Sequence, residues 1–219
     1  MNSNTKKIFR PIYVPLASWY YETFKAPRRY HHLFDTIREI KAKHILEIGV
    51  WNGKRAVRMI QEARLASSQI KYFGFDLFED LGVQRYQSEL SKMPPTEAQV
   101  RSLLVDTKAE IFLYKGNTLE TLPKVVGSLP KMDFIFIDGG HSIETIANDW
   151  KYLQSCIDER TVVIFDDYWR NREDAGCKSI VDAVDREKYN VEILPEIDVF
   201  DNSDFGRLEI SFAKITKKD

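Results

Sequence analysis

The chain has 219 residues, of which 43% are hydrophobic, and this content is sufficient for one sizeable core. Its 32 basic and 33 acidic residues leave a formal net charge of -1, which excludes a general attraction to nucleic acid or to anionic membranes. Because it has two cysteines and no long apolar run, we expect a cytosolic protein without a disulfide framework, an export signal or a membrane span.

We expect one domain over residues 1–219, beginning with a helical and aromatic extension over residues 1–43. Apolar residues at helical spacing predict a helix against the edge of the sheet, formed around Leu33, Phe34, Ile37 and Ile40. Two charged or titratable pairs beside it are interpreted as solvated surface: Arg28 with Arg29, and His31 with His32. Earlier aromatic residues are candidates for a substrate wall, an oligomer contact or core: Tyr13, Trp19, Tyr20, Tyr21 and Phe24.

Five short segments rich in branched and aromatic residues predict buried strands: His44–Val50, Tyr72–Phe78, Ile111–Lys115, Met132–Ile137 and Val162–Phe165. Helical patterns lie between them, so the sequence predicts an α/β fold with a Rossmann-like doubly wound sheet and helices on both faces. We expect this sheet to be mostly parallel, with an antiparallel strand near the C-terminus. Residues 79–109 are longer than a usual connection and predict an insertion or a lid.

The first predicted strand runs into the segment Glu47-Ile48-Gly49-Val50-Trp51-Asn52-Gly53. Gly49 and Gly53 allow a sharp turn from strand to helix and a close approach of the backbone to a ligand. The spacing differs from the G-x-G-x-x-G of dinucleotide-binding folds, and no phosphate-binding P-loop occurs. Trp51 in the turn also argues against a tightly packed pyrophosphate.

Acidic residues close the fourth and fifth predicted strands. Asp138 begins the segment Asp138-Gly139-Gly140-His141, and Asp166 and Asp167 follow the fifth strand. Three clustered carboxylates repel one another unless they are protonated, hydrogen-bonded or bound to a cation such as Mg²⁺. The alternative is that Asp138 contacts a cofactor while the aspartate pair caps a turn without metal.

His141 follows Asp138 by three residues and can face the same cleft. Histidine suits a general base because its ordinary pKa lies near neutrality. The alternative is that His141 caps the next helix or orients an aspartate.

With these residues the chain resembles class I S-adenosylmethionine-dependent methyltransferases over about residues 41–190. It is most similar to the metal-dependent macrocin O-methyltransferase and cephalosporin-biosynthesis group, in which a D-G-G-H segment and a later D-D pair recur. The resemblance implies a cofactor site for S-adenosylmethionine formed by Glu47, Gly49, Gly53, Asp76, Leu77, Asn117 and Asp138. In this site Glu47 would hold the methionine moiety, Asp76 the ribose hydroxyls and Asn117 the adenine.

The resemblance further implies that Asp138, Asp166 and Asp167 bind Mg²⁺, and that His141 and Asp138 are catalytic. The implied activity is methylation of a hydroxyl on a small molecule, a sugar or a natural product. Whether oxygen or nitrogen is methylated, and whether the chain forms a homo-oligomer, stays open. Two alternatives are an NAD- or nucleotide-binding oxidoreductase and a non-catalytic binding module, although the acidic cluster argues against both.

Overall fold

The computed structural model describes residues 28–80, 95–202 and 206–218. The helices of this part are α1 (Tyr30–Glu39), α2 (Lys54–Arg64), α3 (Glu97–Val105), α4 (Thr118–Val125), α5 (Ile143–Leu153) and α6 (Lys178–Asp182). The strands are β1 (His44–Ile48), β2 (Lys71–Asp76), β3 (Glu110–Lys115), β4 (Phe134–Ile137), β5 (Val162–Trp169), β6 (Tyr189–Ile193), β7 (Asp198–Asn202) and β8 (Gly206–Lys217).

The strands form one mixed sheet in the order β3-β2-β1-β4-β5-β8-β6, and β7 also pairs with β8. The first five strands are parallel, whereas β5, β6 and β7 each pair with β8 in the antiparallel direction. This arrangement confirms the predicted doubly wound α/β fold. The order of the parallel strands reverses between β1 and β4, and ligands of such sheets bind beyond the carboxyl ends of the strands at this point.

Apolar side chains cover both faces of the sheet, which explains the near-continuous apolar strands. In β1, Leu46 and Ile48 pack on one face with buried residues of α4 and α5, such as Leu122 and Trp150. Ile45 packs on the opposite face with buried residues of α1 and α2. The helix predicted around Leu33 and Ile37 is therefore present, with both side chains completely buried. Within the described residues, no helix has the length and apolar character needed to cross a membrane.

Two predicted strands end earlier in the structure because the backbone leaves the extended region. Gly49 has a φ of +87°, so β1 ends at Ile48 instead of Val50. Phe78 has a φ of +50° and begins a short 3₁₀ turn, so β2 ends at Asp76.

The fifth strand shows the opposite difference, because it continues through the aspartate pair to Trp169. Its register with β8 shifts between Phe165 and Tyr168, and Asp167 has a φ of +58°. A bulge of this kind re-aims side chains next to functional sites. Asp166 and Asp167 thus lie in an irregularity within the strand rather than beyond its end.

The segment 79–109 is helical in its second half. Thr96 and Gln99 form a capping box at the start of α3, and Val100 and Leu104 bury this helix beside α2. Residues 81–94 lie outside the described residues, as do the aromatic residues expected in a substrate wall. The lid therefore stays a prediction.

Candidate active site

The carboxyl ends of β1, β4 and β5 bring seven ionisable side chains together. We call this set the charged cluster: the carboxylates Glu47, Asp138, Asp166 and Asp167, with Arg29, Arg55 and His141. The three predicted metal ligands line one small pocket beside the chain turn at Gly139 and Gly140. The strand ends therefore converge as the sequence predicts.

Arg55, in the first turn of α2, connects the ends of β1 and β4. Its Nε donates to Glu47 Oε1 at 2.8 Å, its Nη2 donates to the carbonyl oxygen of Gly49 at 2.9 Å, and its Nη1 contacts Asp138 Oδ2. Its Nη1 also lies 3.2 Å from the hydroxyl of Tyr30. A single guanidinium thus compensates the buried Glu47 and the partly exposed Asp138.

Glu47 is completely buried, and its second oxygen contacts the hydroxyl of Tyr72. Burial raises its pKa, although the Arg55 charge and the Tyr72 hydrogen bond oppose this shift. Because both carboxylate oxygens have partners, the geometry favours an indirect role in which Glu47 holds Arg55. Its direct contact with the methionine moiety stays a prediction.

Arg29 was interpreted as solvated surface, and this interpretation is wrong, because the residue is 4% exposed. Its Nε and Nη2 donate to the two oxygens of Asp166 at 2.9 and 3.1 Å, and its Nη1 donates to Asp198 at 3.0 Å. Asp198 also accepts the backbone N–H of Arg28 and of Arg29. The start of α1 is thereby attached to β5 and β7.

His141 pairs with the other member of the aspartate pair, with 2.8 Å between its Nε2 and Asp167 Oδ2. The indole N–H of Trp169 donates to Asp167 Oδ1 at 3.1 Å, and the His141 ring stacks on the Trp169 ring. Burial alone would raise the pKa of Asp167, but the His141 charge and hydrogen bond lower it to about 2. Asp167 therefore orients the histidine as an anionic partner.

The net pKa shift of Asp138 is opposite to that of Asp167. Desolvation, together with repulsion from Asp166 and Asp167, outweighs the Arg55 charge and raises the pKa of Asp138 to about 8. The pKa of Asp166 is also raised by burial, against the stabilising charge of Arg29. The cluster holds more carboxylates than the two guanidinium groups and one imidazole neutralise.

The loop between β1 and α2 is shaped by two glycines and by Asp76. A side chain at Gly49 would place its Cβ 1.8 Å from the carbonyl oxygen of Asp138, and Gly53 has a φ of +71°. Asp76 accepts the N–H of Trp51 at 2.7 Å and of Phe78 at 2.6 Å. Asp76 thus joins this loop to the end of β2.

The remaining predicted cofactor residues lie at the next strand ends. Leu77 follows β2 directly and is half-buried. Asn117 follows β3 and caps α4, where its side-chain oxygen accepts the N–H of Leu119 at 3.2 Å. The contacts of Leu77 and Asn117 with a cofactor stay predictions.

Sequence reasoning missed Arg29, Arg55, Tyr30, Tyr72 and Asp198. Arg55 carries a usable signal, because it stands two residues after Gly53 at the start of a helix that faces the strand ends. Asp198 lies 169 residues from Arg29, and no local pattern indicates this pairing.

A family model described as methyltransferase domain matches residues 46–168, which is more than half of the chain. The chain belongs to this methyltransferase family. The match includes the β1–α2 loop, Asp138, His141 and both strand-end aspartates, and it confirms the predicted enzyme class over the oxidoreductase alternative. A comparison with curated protein sequences finds no match.

Solved methyltransferases share the fold at low sequence identity. An O-methyltransferase from Bacillus cereus, in complex with SAH, has a TM-score of 0.61 and 16% identity, covering 88% of this chain and 82% of that one. The O-methyltransferase TomG from Streptomyces achromogenes, in complex with SAM, has a TM-score of 0.60 and 14% identity, covering 94% and 89%. The methyltransferase PaMTH1 from Podospora anserina, bound to SAH, has a TM-score of 0.57 and 16% identity, covering 93% and 87%.

Proposed function

We propose that this methyltransferase transfers the methyl group of S-adenosylmethionine to a hydroxyl of a small molecule. The observation that carries the proposal is the charged cluster at the ends of β1, β4 and β5, beside the β1–α2 loop. Buried ionisable groups with shifted pKa values are concentrated in functional sites. Two of the structurally similar O-methyltransferases contain SAM or SAH, which supports the cofactor assignment.

The residues around the β1–α2 loop fit S-adenosylmethionine, which supplies an electrophilic sulfonium methyl group when it is bound. Asp76 lies at the end of β2 and accepts hydrogen bonds from the backbone N–H groups of Val50, Trp51 and Phe78. A carboxylate has about four acceptor positions, so Asp76 retains capacity for one further donor such as a ribose hydroxyl. Gly49 and Gly53 keep the loop narrow, while Arg55 and Glu47 fix its base.

We assign His141 as the general base that removes the proton of the acceptor hydroxyl. Its Nε2 contacts Asp167, so a neutral ring with its proton on Nε2 has Nδ1 as the basic nitrogen. Stacking on Trp169 holds the ring orientation. Asp138 lines the small pocket together with Asp167, the partner of His141, and would position the acceptor or the cofactor.

We further propose that Asp138, Asp166 and Asp167 hold Mg²⁺. Carboxylate oxygens are the donors that a hard divalent ion prefers, and the three aspartates line one pocket. Among the described residues they are not a group whose ligand atoms all lie within 4.8 Å of one another, so binding requires their side chains to move closer together. When bound, such an ion lowers the pKa of a substrate hydroxyl and orients its oxygen. These assignments support placing the chain in the macrocin and cephalosporin-biosynthesis group.

One observation favours a metal-independent variant of the same reaction. Arg29 occupies both oxygens of Asp166, and Arg55 contacts Asp138, so guanidinium groups already compensate two of the three proposed ligands. In this variant His141 and the two arginines act without an added cation.

The test is calorimetric titration of the metal-stripped protein with S-adenosylhomocysteine, with and without Mg²⁺, followed by methyl-transfer assays on hydroxylated acceptors. Micromolar binding would support the cofactor site, and activity lost in EDTA and restored by Mg²⁺ would support the metal site. Unchanged activity in EDTA would favour the metal-independent variant. An absence of binding under both conditions would contradict the cofactor proposal and revive the binding-module alternative.

A further inference from the structure

A second set of potential metal ligands lies outside the charged cluster, between the start of α1 and the segment that joins β6 to β7. It consists of His31, His32 and Glu196. One ligand atom from each residue lies within 4.8 Å of the other two. The set is independent of the proposed methyl transfer.

The three side chains converge on one point. The Nε2 of His31 is 3.8 Å from Glu196 Oε1, and the Nε2 of His32 contacts Glu196 Oε2. The two imidazole rings lie side by side, with their centroids 4.0 Å apart. A tetrahedral zinc ion holds its ligand atoms roughly 3.3 Å apart, so the observed spacing requires only small movements of the side chains.

The tautomer of His31 is also suited to metal binding. Its Nδ1 lies 2.5 Å from the carbonyl oxygen of Arg28, a contact in which Nδ1 donates its proton. A neutral ring with this tautomer carries its lone pair on Nε2, the atom that faces Glu196. Metal-binding histidines typically donate their other N–H to a carbonyl or carboxylate in this way.

The electrostatic surroundings favour a cation over a pair of protonated histidines. Two imidazolium rings at this separation would repel each other, whereas one divalent ion serves both neutral rings and the carboxylate. The neighbouring Arg29 charge is already compensated by Asp166 and Asp198.

From this geometry we infer that His31, His32 and Glu196 form a binding site for a borderline transition-metal ion such as Zn²⁺. Two imidazole nitrogens and one carboxylate oxygen supply three positions of a tetrahedron, and water completes it. The ion attaches the first turn of α1 to the β6–β7 segment, next to the Arg29–Asp198 contact.

The experiment is titration of the metal-stripped full chain with Zn²⁺, followed by calorimetry and by thermal unfolding. One ion is expected to bind per chain and to raise the melting temperature, because it binds the folded state. His31→Ala, His32→Ala and Glu196→Gln should each weaken binding at least tenfold and remove the thermal shift. Co²⁺ should give the visible absorption of a tetrahedral N/O site in the wild type and lose it in these variants.

Two control variants separate this site from other ligands in the chain. His44→Ala removes the histidine at the opposite end of the sheet, and Asp138→Asn alters the proposed magnesium site without touching the Arg29 ion pair. Both should retain the Zn²⁺ affinity and the Co²⁺ spectrum of the wild type. The inference is overturned if Zn²⁺ does not bind, if His31→Ala and Glu196→Gln bind it as tightly as the wild type, or if Asp138→Asn alone abolishes binding.

Discussion

The two ends of the parallel sheet differ in the solvent exposure of their charged side chains. At the amino ends, Lys71 and Glu110 form an ion pair 3.2 Å long in which both side chains are about half exposed. At the carboxyl ends, Glu47 is 0% exposed and Asp166 is 3% exposed. Burying a carboxylate is unfavourable unless a cation or a hydrogen-bond donor compensates its charge. The buried carboxylates therefore need partners in specific positions.

This difference in exposure indicates that the functional site lies at the carboxyl ends of the strands. Exposed pairs contribute little to stability and little to chemistry because water screens them. A buried excess of carboxylates creates a field that a substrate, a cofactor or a cation can use. Substitutions at the two ends of the sheet test this difference.

Arg55→Met should destabilise the fold by about 3–5 kcal/mol, because it leaves the completely buried Glu47, and the partly exposed Asp138, without their shared guanidinium. The matched change at the other end, Lys71→Met, removes one member of an exposed pair and should change stability by at most about 0.5 kcal/mol. Urea unfolding of both variants gives the comparison. Equal losses of stability in the two variants would show that the two ends of the sheet do not differ in this way.

Asp166→Asn should reduce methyl transfer by about 100-fold, the effect of removing one charged group that acts on the reacting centre. The affinity for S-adenosylhomocysteine should change little, and this result would show that the variant is folded. The control is Asp133→Asn at the amino ends, where one carboxylate oxygen accepts the N–H groups of Lys43 and His44 at 2.8 and 2.9 Å. Full activity of Asp166→Asn, or an equal loss in the control, would exclude the proposed role.

Gly49→Ala should destabilise the protein by about 1–3 kcal/mol, because the φ of +87° at this position is strained for alanine. The added Cβ would also lie 1.8 Å from the carbonyl oxygen of Asp138, and the loop movement this forces should weaken cofactor binding. Gly127→Ala is the control, since a Cβ there meets no atom within 4 Å. Thermal unfolding and calorimetry check both, and a tolerated Gly49→Ala would show that the loop is not tightly constrained.

Local sequence patterns account for the strand ends but not for their partners. Gly49, Asp138 and Asp167 are readable because each stands where an apolar run stops, and parallel strands bring those positions together. Arg29 is adjacent to Arg28 in a polar stretch and resembles ordinary surface. Its burial depends on Asp166 in β5 and on Asp198 in β7, and both are distant from Arg29 along the chain.

The local sequence does not predict the bulge in β5 either. Val162–Phe165 predicts a strand from its branched and aromatic residues, and two aspartates normally indicate its end. Pairing with β8 carries the strand on to Trp169, and the left-handed backbone at Asp167 absorbs the register shift. Tertiary pairing thus overrides local preference at the position where the side chains must be re-aimed.

The pH dependence of stability should have opposite signs for two neighbouring aspartates. Asp138 has its pKa raised to about 8 in the folded protein, so its contribution to stability is present below about pH 4 and is lost as pH rises toward 8. Asp138→Asn should therefore gain stability relative to the wild type as the pH rises over this range.

Asp167 has its pKa lowered to about 2, so its contribution is present above about pH 4 and is lost as pH falls. Asp167→Asn should consequently differ most from the wild type above pH 4, with a gap that narrows in acid. Urea unfolding in EDTA across the pH range checks both curves. If the free energies of unfolding of the two variants changed with pH in the same way, the two carboxylates would titrate alike. The His141 contact and the burial of Asp138 would then not separate their protonation states.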